Sequence, residues 1–421
     1  MTVDEVAAIM KLASATCTPI VPQGGNTGLV GAQTPDRSGA AVILSLARMN
    51  QIRDVDATGN TMVVEAGVVL KTIQDAADKI DRLFPLSLGS EGSCMIGGNL
   101  SSNAGGTAVL AYGNTRELCL GLEVVLPTGE IMHGLKRLAK DNTGYDLRDL
   151  FIGAEGTLGV ITAAVLKLFP KPKGRAVAFV GTESPDKALA LLNAAKASGT
   201  LTGFELIARI GMEFATRHIE GARDPLAQAH NWYVLVEFSS PRSDEDAQHG
   251  MEEFLAAALE SGDADDAVIA ASLAQGDAFW HLRENLSWAQ KPEGGSIKHD
   301  ISVPVASIPA FLREANAAVE VLIPSVRFCT FGHMGDGNLH YNISQPVGAD
   351  KATYLARWHE VNALVHDIVN KYDGSISAEH GIGQLKRDEL KRFKDKTALD
   401  LMGRIKAAFD PKGIMNPGKV L

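Results

Sequence analysis

The sequence predicts an α+β chain built from two regions, and three observations lead there. At roughly 150 residues per domain, 421 residues leave room for two or three lobes. The texture of the chain changes near residue 172. Before that point, short β-rich runs are separated by long Gly/Ser/Asn connections; after it, longer helices alternate with strands, the mark of an α+β region. Glycine is abundant at 42 residues while aromatics make up only 6%, a balance that favours tight backbone turns of the kind that wrap ligands.

The elements follow in order. Val3 to Ala15 carries apolar residues at helical spacing behind Thr2, a capping residue with Glu5 three positions on. Strands are expected at Ile20-Val21, Ala41 to Leu46, Thr61 to Glu65, Leu122 to Leu126 and Val160 to Phe169, with Pro127-Thr-Gly-Glu130 as a turn. Lys171-Pro-Lys-Gly174 closes the region, and the basic run Lys167, Lys171, Lys173, Arg175 reads as a solvated strand exit. Helices are then expected at Ala188 to Ala197, Glu245 to Leu259, Asp277 to Gln290, Ile308 to Val321, Ala352 to Lys371 and Leu399 to Phe409. Strands are expected at Trp232 to Phe238, Arg327 to Thr330 and Leu339 to Ile343. No internal repeat interrupts this order.

Composition narrows the function classes. A net charge of −10 gives no cationic footprint for nucleic acid. Cys17, Cys94, Cys119 and Cys329 are scattered without a CxxC pair, which speaks against cysteine zinc or a disulfide framework and for a reducing compartment. No stretch of about 18 apolar residues exists to span a membrane, and the start lacks the charged-then-apolar order of a signal peptide. The expected location is cytoplasmic, with the periphery of the inner membrane as its variant. The tail Gly413-Ile-Met-Asn-Pro-Gly-Lys-Val420 imitates a phosphate loop, but Val420 stands where Ser or Thr is required. No strand is followed by G-x-G-x-x-G with an acidic partner, so neither an NTPase nor a dinucleotide fold of that type is expected.

Three loops carry the first chemical signal: Gln23-Gly-Gly-Asn-Thr-Gly28, Gly97-Gly-Asn-Leu-Ser-Ser-Asn-Ala-Gly-Gly106 and Gly153-Ala-Glu-Gly-Thr-Leu-Gly159. Glycines interleaved with Asn, Ser and Thr let successive N–H groups converge on one anion. Three such loops suit a large ligand carrying a pyrophosphate.

The second signal is Phe331-Gly-His333-Met-Gly-Asp-Gly-Asn-Leu-His340-Tyr-Asn342. Extended, this segment would hold its histidines more than about 20 Å apart. Gly335, Asp336 and Gly337 allow a reversal that sets His333 beside His340 across a hairpin, with Asn342 on the face of His340. Two imidazoles so placed can begin a divalent transition-metal site. Gly374-Ser-Ile-Ser-Ala-Glu379-His380-Gly-Ile-Gly383 can add one carboxylate and one imidazole from a glycine-framed loop. Two His and one Glu leave positions open for substrate, the catalytic pattern. His359 and His366, two helical turns apart, are too distant to share an ion and read as surface or core positions. Arg283 and Ser287, four apart on an expected helix, share a face. With Lys298, which precedes His299-Asp300 in a strand-like segment, they suit an anionic substrate.

Together these motifs resemble the FAD-linked D-2-hydroxyacid dehydrogenases of the vanillyl-alcohol-oxidase flavoprotein superfamily, nearly end to end. The resemblance rests on the Gln23-to-Gly28 loop, on Gly89-Ser-Glu-Gly92 through Gly106 and on Gly153 to Gly159. It rests further on Gly332-His-Met-Gly-Asp-Gly-Asn-Leu-His340, Ala378-Glu-His-Gly-Ile-Gly383 and Asn416-Pro-Gly-Lys419. It implies a two-lobed FAD-binding fold with a central antiparallel-sheet cap: an FAD-binding domain over 1–172, a substrate domain over 173–375 and a C-terminal segment, 376–421, returning to the FAD lobe. Members usually carry a few dozen residues ahead of the position that is Met1 here, including a first strand, so that strand is expected to be missing.

By the same resemblance, Gln23, Gly24, Gly25, Asn26, Thr27, Gly28, Gly89, Ser90, Gly97, Gly98, Asn99, Ser102, Asn103, Gly105, Gly106, Gly156, Gly159, Val160, Ile161 and Asn416 would contact FAD. No covalent tether is expected. His333, His340 and Glu379 would ligate Zn²⁺ or Mn²⁺, His380 would act as base, and Asn342 would touch substrate. The set Arg283, Ser287 and Lys298 is most similar to that of members oxidising D-2-hydroxyglutarate to 2-oxoglutarate by hydride transfer to flavin N5. Electrons would then pass to an electron-transfer flavoprotein or a quinone, and a homodimer is a candidate state. D-lactate or D-malate oxidation is the alternative within the family. A metal hydrolase using the same His/His/Glu set, a non-redox flavin-dependent alkyl transferase and an inactive flavin-binding subunit are the readings outside it.

Overall fold

The computed structural model describes residues 1–198 and 201–421. The chain divides into two compact units: Met1–Lys171 joined by Glu379–Leu421, and Pro172–Ala378.

The first unit opens with helix α1 (Val3–Thr16), held at its start by a full capping box. The Thr2 hydroxyl accepts from the Glu5 N–H, and the Glu5 carboxylate accepts from the Thr2 N–H. Strands β1 (Ile20–Gln23) and β2 (Val42–Ser45) pair in parallel. A five-stranded sheet follows from β3 (Ile52–Asp56), β4 (Thr61–Glu65), β5 (Cys119–Val125), β6 (Ile131–Gly134) and β7 (Val160–Lys167), in the order β3-β4-β7-β5-β6. β4 and β7 are interior to this order; β4 is buried along its whole length and β7 everywhere but Lys167, as strands covered on both faces are. Helix α2 (Leu70–Asp78) and helix α3 (Ile96–Ser102) press Leu70, Ile73, Ile96 and Leu100 onto this sheet's core.

The chain's last segment belongs to this unit through buried polar contacts. The Asp410 carboxylate accepts from the N–H groups of Ile414 and Met415 and from Lys406 Nζ, which also donates to the carbonyls of Thr157 and Met415. Met415 in turn bridges Ile20 of β1.

The second unit is an eight-stranded sheet. Its strands are β8 (Gly174–Thr182), β9 (Leu201–Ala208), β10 (Trp232–Ser240), β11 (Asp266–Ile269), β12 (Ser296–Ile297), β13 (Asp300–Ser302), β14 (Arg327–His333) and β15 (Asn338–Ser344). They run in the order β11-β8-β10-β9-β14-β15-β12, with β13 also on β15, and every pairing is antiparallel. One face packs Phe179, Ile207, Tyr233, Leu235, Cys329 and Phe331 against Met212, Phe214, Phe279 and Leu286 from the covering helices.

Several expectations shift at points with a local cause. The helix expected over 277–290 starts earlier and breaks: α4 (Leu273–Glu284) ends at Asn285, whose φ of −88° and ψ of 3° leave the helical region, and α5 (Leu286–Ala289) restarts beyond it. The helix expected over 352–371 is likewise two, Lys351–Ala356 and Trp358–Lys371, meeting at Arg357. The basic run near residue 171 is not simply solvated: Lys171 pairs with Asp78, and Arg175 is held by Glu237 and Asp277 at 2.7 Å each.

Glu293 gathers Arg217, His218 and Arg327 around one carboxylate, the first two at 2.6 Å. Burial alone would raise its pKa, but the three donors prevail and hold it at about 2, below the ordinary 4.5. A depressed carboxylate contributes stability above its unfolded pKa and loses it as pH falls through the folded value. Glu293→Gln should therefore lower the melting temperature at pH 7, with the gap to wild type closing between about pH 4.5 and pH 2. Melts at pH 7 and pH 3 check this; an equal gap at both would contradict it.

Candidate active site

In the first unit a groove holding about 890 Å³ of empty space, part of it open to solvent, runs between three loops. Its walls come from residues 22–28, 94–102 and 155–161, and His380 also lines it. Among the described residues, the N–H groups of Gly24 through Gly28 donate to no protein acceptor. Asn26 sits at a left-handed φ of +56°, which turns successive N–H groups inward. Gly25 is required by close approach: a Cβ there would lie 2.1 Å from the Ser93 carbonyl oxygen. Asn99, 5% exposed, presents an Oδ1 that no protein group among the described residues satisfies. A groove lined by unpaired donors at one end and by Val160, Ile161 and Leu46 elsewhere fits a ligand with an anionic centre and an apolar body.

Most residues expected at this groove line it. Gly89, Ser90, Asn103, Gly105, Gly106 and Asn416 do not, and several of these sit behind the wall instead. Asn103 caps α3 in a left-handed turn and accepts from the Arg116 N–H. Asn416 donates to the carbonyls of Ala32 and Glu155, fastening the tail to two groove loops. Gly105 leaves room for Glu379, whose Oε1 would lie 3.0 Å from a Cβ at that position.

Glu155, passed over in the sequence because its glycine neighbours drew the reading, is buried. It accepts from the N–H groups of Ile382 and Gly383 at 2.7 Å each, anchoring the loop that carries Glu379 and His380. Burial raises its pKa, and those two bonds oppose the rise.

In the second unit the β14–β15 hairpin forms as its glycines predict, with Gly337 at φ +90° in the turn. Directly opposed residues share a face, and the register makes that face explicit. His340 opposes Phe331, Asn342 opposes Cys329, Glu205 of β9 opposes His333, and Asp300 of β13 opposes His340. The His333 and His340 rings stand 5.7 Å apart. His333 Nδ1 lies 2.6 Å from Glu205 Oε1, so a proton on Nδ1 leaves Nε2 as the ligating nitrogen. Two imidazoles, one of them oriented by a carboxylate, are donors that fit Zn²⁺ or Mn²⁺.

Arg283, 6% exposed, donates from Nε to Glu205 Oε2 at 2.7 Å and stacks over Phe331 at 4.8 Å. Its Nη2 is buried without a protein acceptor among the described residues, a cationic donor suited to an anion. Because the helix breaks at Asn285, Arg283 and Ser287 do not share one helical face as expected. Lys298 lies between β12 and β13 rather than in a strand, and its Nζ reaches the Ser287 carbonyl, not the hydroxyl, at 3.4 Å. Lys298 keeps exposed surface, partial desolvation lowers its pKa, and its charge opposes the rise of the buried Cys329 thiol, which reaches about 12. His366 is a core residue, its ring 5.7 Å from His299. Glu205 and Asp300 escaped the sequence reading; a lone carboxylate inside the apolar run Phe204-Glu-Leu-Ile207 was the available sign of the first.

Residues 171–420 match the family model described as FAD linked oxidases, C-terminal domain, and residues 1–134 match an FAD binding domain. A mitochondrial D-2-hydroxyglutarate dehydrogenase of Arabidopsis thaliana is 38% identical over 419 residues, 99% of this chain and 73% of that protein. A D-2-hydroxyglutarate dehydrogenase of Xanthomonas citri pv. viticola is 37% identical over 418 residues, covering 99% and 87%. The chain belongs to the FAD-linked D-2-hydroxyacid dehydrogenase family.

The solved structure of p-cresol methylhydroxylase with substrate bound has the same fold, with a TM-score of 0.75 at 17% identity over 100% of this chain and 87% of that one. The chain is thus an FAD-dependent oxidoreductase of the vanillyl-alcohol-oxidase fold, and the amide cradle of residues 24–28 fits the pyrophosphate of FAD. The cytoplasmic expectation is overturned: relatives from Arabidopsis thaliana and Danio rerio are named mitochondrial. Unpaired cysteines mark a reducing environment without distinguishing one reducing compartment from another. Among the described residues, no helix is long and apolar enough to cross a membrane.

The Gly25 contact yields a test. Gly25→Ala should cost at least about tenfold in FAD affinity through the overpacked Ser93 contact, with circular dichroism unchanged. Full retention of FAD on gel filtration would contradict the cradle.

Proposed function

We propose that this flavoenzyme oxidises D-2-hydroxyglutarate to 2-oxoglutarate with the aid of a divalent cation, Zn²⁺ or Mn²⁺. It hands its electrons to an electron-transfer flavoprotein or a quinone. The observation that carries the substrate is a pair of cationic side chains beside the hairpin. Arg283 stacks over Phe331 at 4.8 Å with Nη2 unpaired among the described residues, and Lys298 reaches the Ser287 carbonyl at 3.4 Å. Two cationic donors suit the two carboxylates of a dicarboxylic acid. The names of the two relatives, both D-2-hydroxyglutarate dehydrogenases, support the same substrate.

The roles follow from the groups. Arg283 Nη2 is the buried donor for one carboxylate and the Lys298 ammonium binds the other, with the Asn342 side chain as a polar neighbour; for Ser287 a substrate contact rests on the family resemblance alone. His333 and His340 ligate the cation. For Glu379 as third ligand and His380 as base, the reading rests on the Ala378-to-Gly383 motif and on His380 being among the residues that line the FAD groove. His380 takes the hydroxyl proton from the substrate as C2 gives up its hydride. FAD, when bound, would supply the acceptor for that hydride, and a cation held by His333 and His340 would supply a Lewis acid.

Lys298 is needed for the second carboxylate and idle for a substrate that lacks one. Lys298→Ala should lower kcat/KM for D-2-hydroxyglutarate by about 10- to 100-fold, the worth of a hydrogen bond to a charged group, and leave D-lactate turnover within about twofold. Steady-state assays with both acids decide. Equal loss on both would overturn the dicarboxylate reading in favour of D-lactate.

A further inference from the structure

Glu205 is the one acidic residue in the run Leu201-Thr-Gly-Phe-Glu-Leu-Ile-Ala208 of β9, and its side chain has no exposed surface. Isolated, such a charge would be strongly unfavourable, and apolar residues of similar volume often replace buried ion pairs without loss of stability. Stability alone therefore does not account for it. Each of its oxygens has a separate partner: Oε1 takes His333 Nδ1 at 2.6 Å and Oε2 takes Arg283 Nε at 2.7 Å. The strand register sets Glu205 directly opposite His333, so the backbone fixes the first contact.

We infer that Glu205 is the positioning residue that couples cation binding to substrate binding: one carboxylate selects the His333 tautomer and aims Arg283. The inference rests on the metal and substrate roles proposed above. A carboxylate on Nδ1 holds the proton there and keeps Nε2 as the lone-pair nitrogen, which also strengthens it as a ligand. The same carboxylate occupies Arg283 Nε and the guanidinium lies over the Phe331 ring, while Nη2 is a buried donor with no protein acceptor among the described residues. An amide at this position presents one acceptor and one NH₂ donor. It can accept from His333 or from Arg283, but its NH₂ then faces the other donor. Glu205→Gln is thus close to isosteric and disrupts both functions together.

The test uses FAD-loaded protein stripped of metal by dialysis and titrated with Mn²⁺ or Zn²⁺ against a chelating dye. Glu205→Gln should bind the cation about 10- to 100-fold more weakly than wild type, the usual effect of losing an outer carboxylate. Its KM for D-2-hydroxyglutarate should rise as well, and Glu205→Asp, which keeps the charge, should recover part of both. A Gln variant that binds the cation like wild type overturns the inference while leaving the metal reading intact. Wild-type protein that binds neither ion overturns the metal reading, and this inference falls with it.

If the Gln variant does not fold, as judged by circular dichroism and FAD content, the wild type decides. Nitrogen NMR of labelled histidines should find His333 protonated on Nδ1 before metal is added. A proton on Nε2 instead would overturn the inference.

Discussion

Alternation along a strand is the constraint on which the rest of the site depends. Side chains two apart on β14 point the same way, and antiparallel register places their cross-strand neighbours beside them. Once the Gly335-Asp-Gly337 turn closes the hairpin, Cys329, Phe331 and His333 form one row, with Asn342, His340 and Glu205 forced alongside. A slip of one residue would send the whole set to the other face. The apolar packing of Cys329 and Phe331 with Ile207 and Leu286 resists that slip. The same hydrophobic contacts that stabilise the sheet therefore locate the chemistry: the imidazoles lie at the end of a row whose other members are core.

The first unit achieves a different end with different means. Its groove depends on what is absent: a side chain at Gly25 and, among the described residues, protein acceptors for the N–H groups of residues 24–28. Such a cradle is costly to build, since unpaired donors destabilise a folded chain, and its neighbours hold it open. Glu155 and Asn416 fasten the loop at residues 153–159, the Glu379–Gly383 loop and the C-terminal tail to one another by charged or amide bonds to backbone. The tail is held in turn by the Lys406 and Asp410 network. A binding surface made of backbone thus relies on a few buried polar side chains for its shape.

This division explains what could be read from the sequence. The hairpin and its histidines were legible because glycine spacing and a turn act within a dozen residues. The three loops were legible by composition, although Asn103 and Gly106 are not among the residues that line the groove. Glu205 was not legible, because its role depends on a cross-strand neighbour 128 positions away. Glu155 was hidden differently: it lay in a loop whose glycines gave the stronger signal, and its partners Ile382 and Gly383 donate through backbone N–H groups, which leave no mark in side-chain type. The break at Asn285 went unseen because apolar periodicity continues across it on both sides, and with it went the idea that Arg283 and Ser287 share a helical face.

The central claim is that a dicarboxylic D-2-hydroxy acid reduces the flavin in a reaction that requires a divalent cation. The most direct measurement is anaerobic: FAD-loaded protein is mixed with D-2-hydroxyglutarate and the oxidised flavin absorbance is followed, with and without prior chelation and with Mn²⁺ or Zn²⁺ restored. Rapid bleaching that chelation abolishes and the metal restores is the result this account predicts. Bleaching that survives complete removal of metal, or an absence of bleaching by this acid in the metal-loaded enzyme, would contradict it.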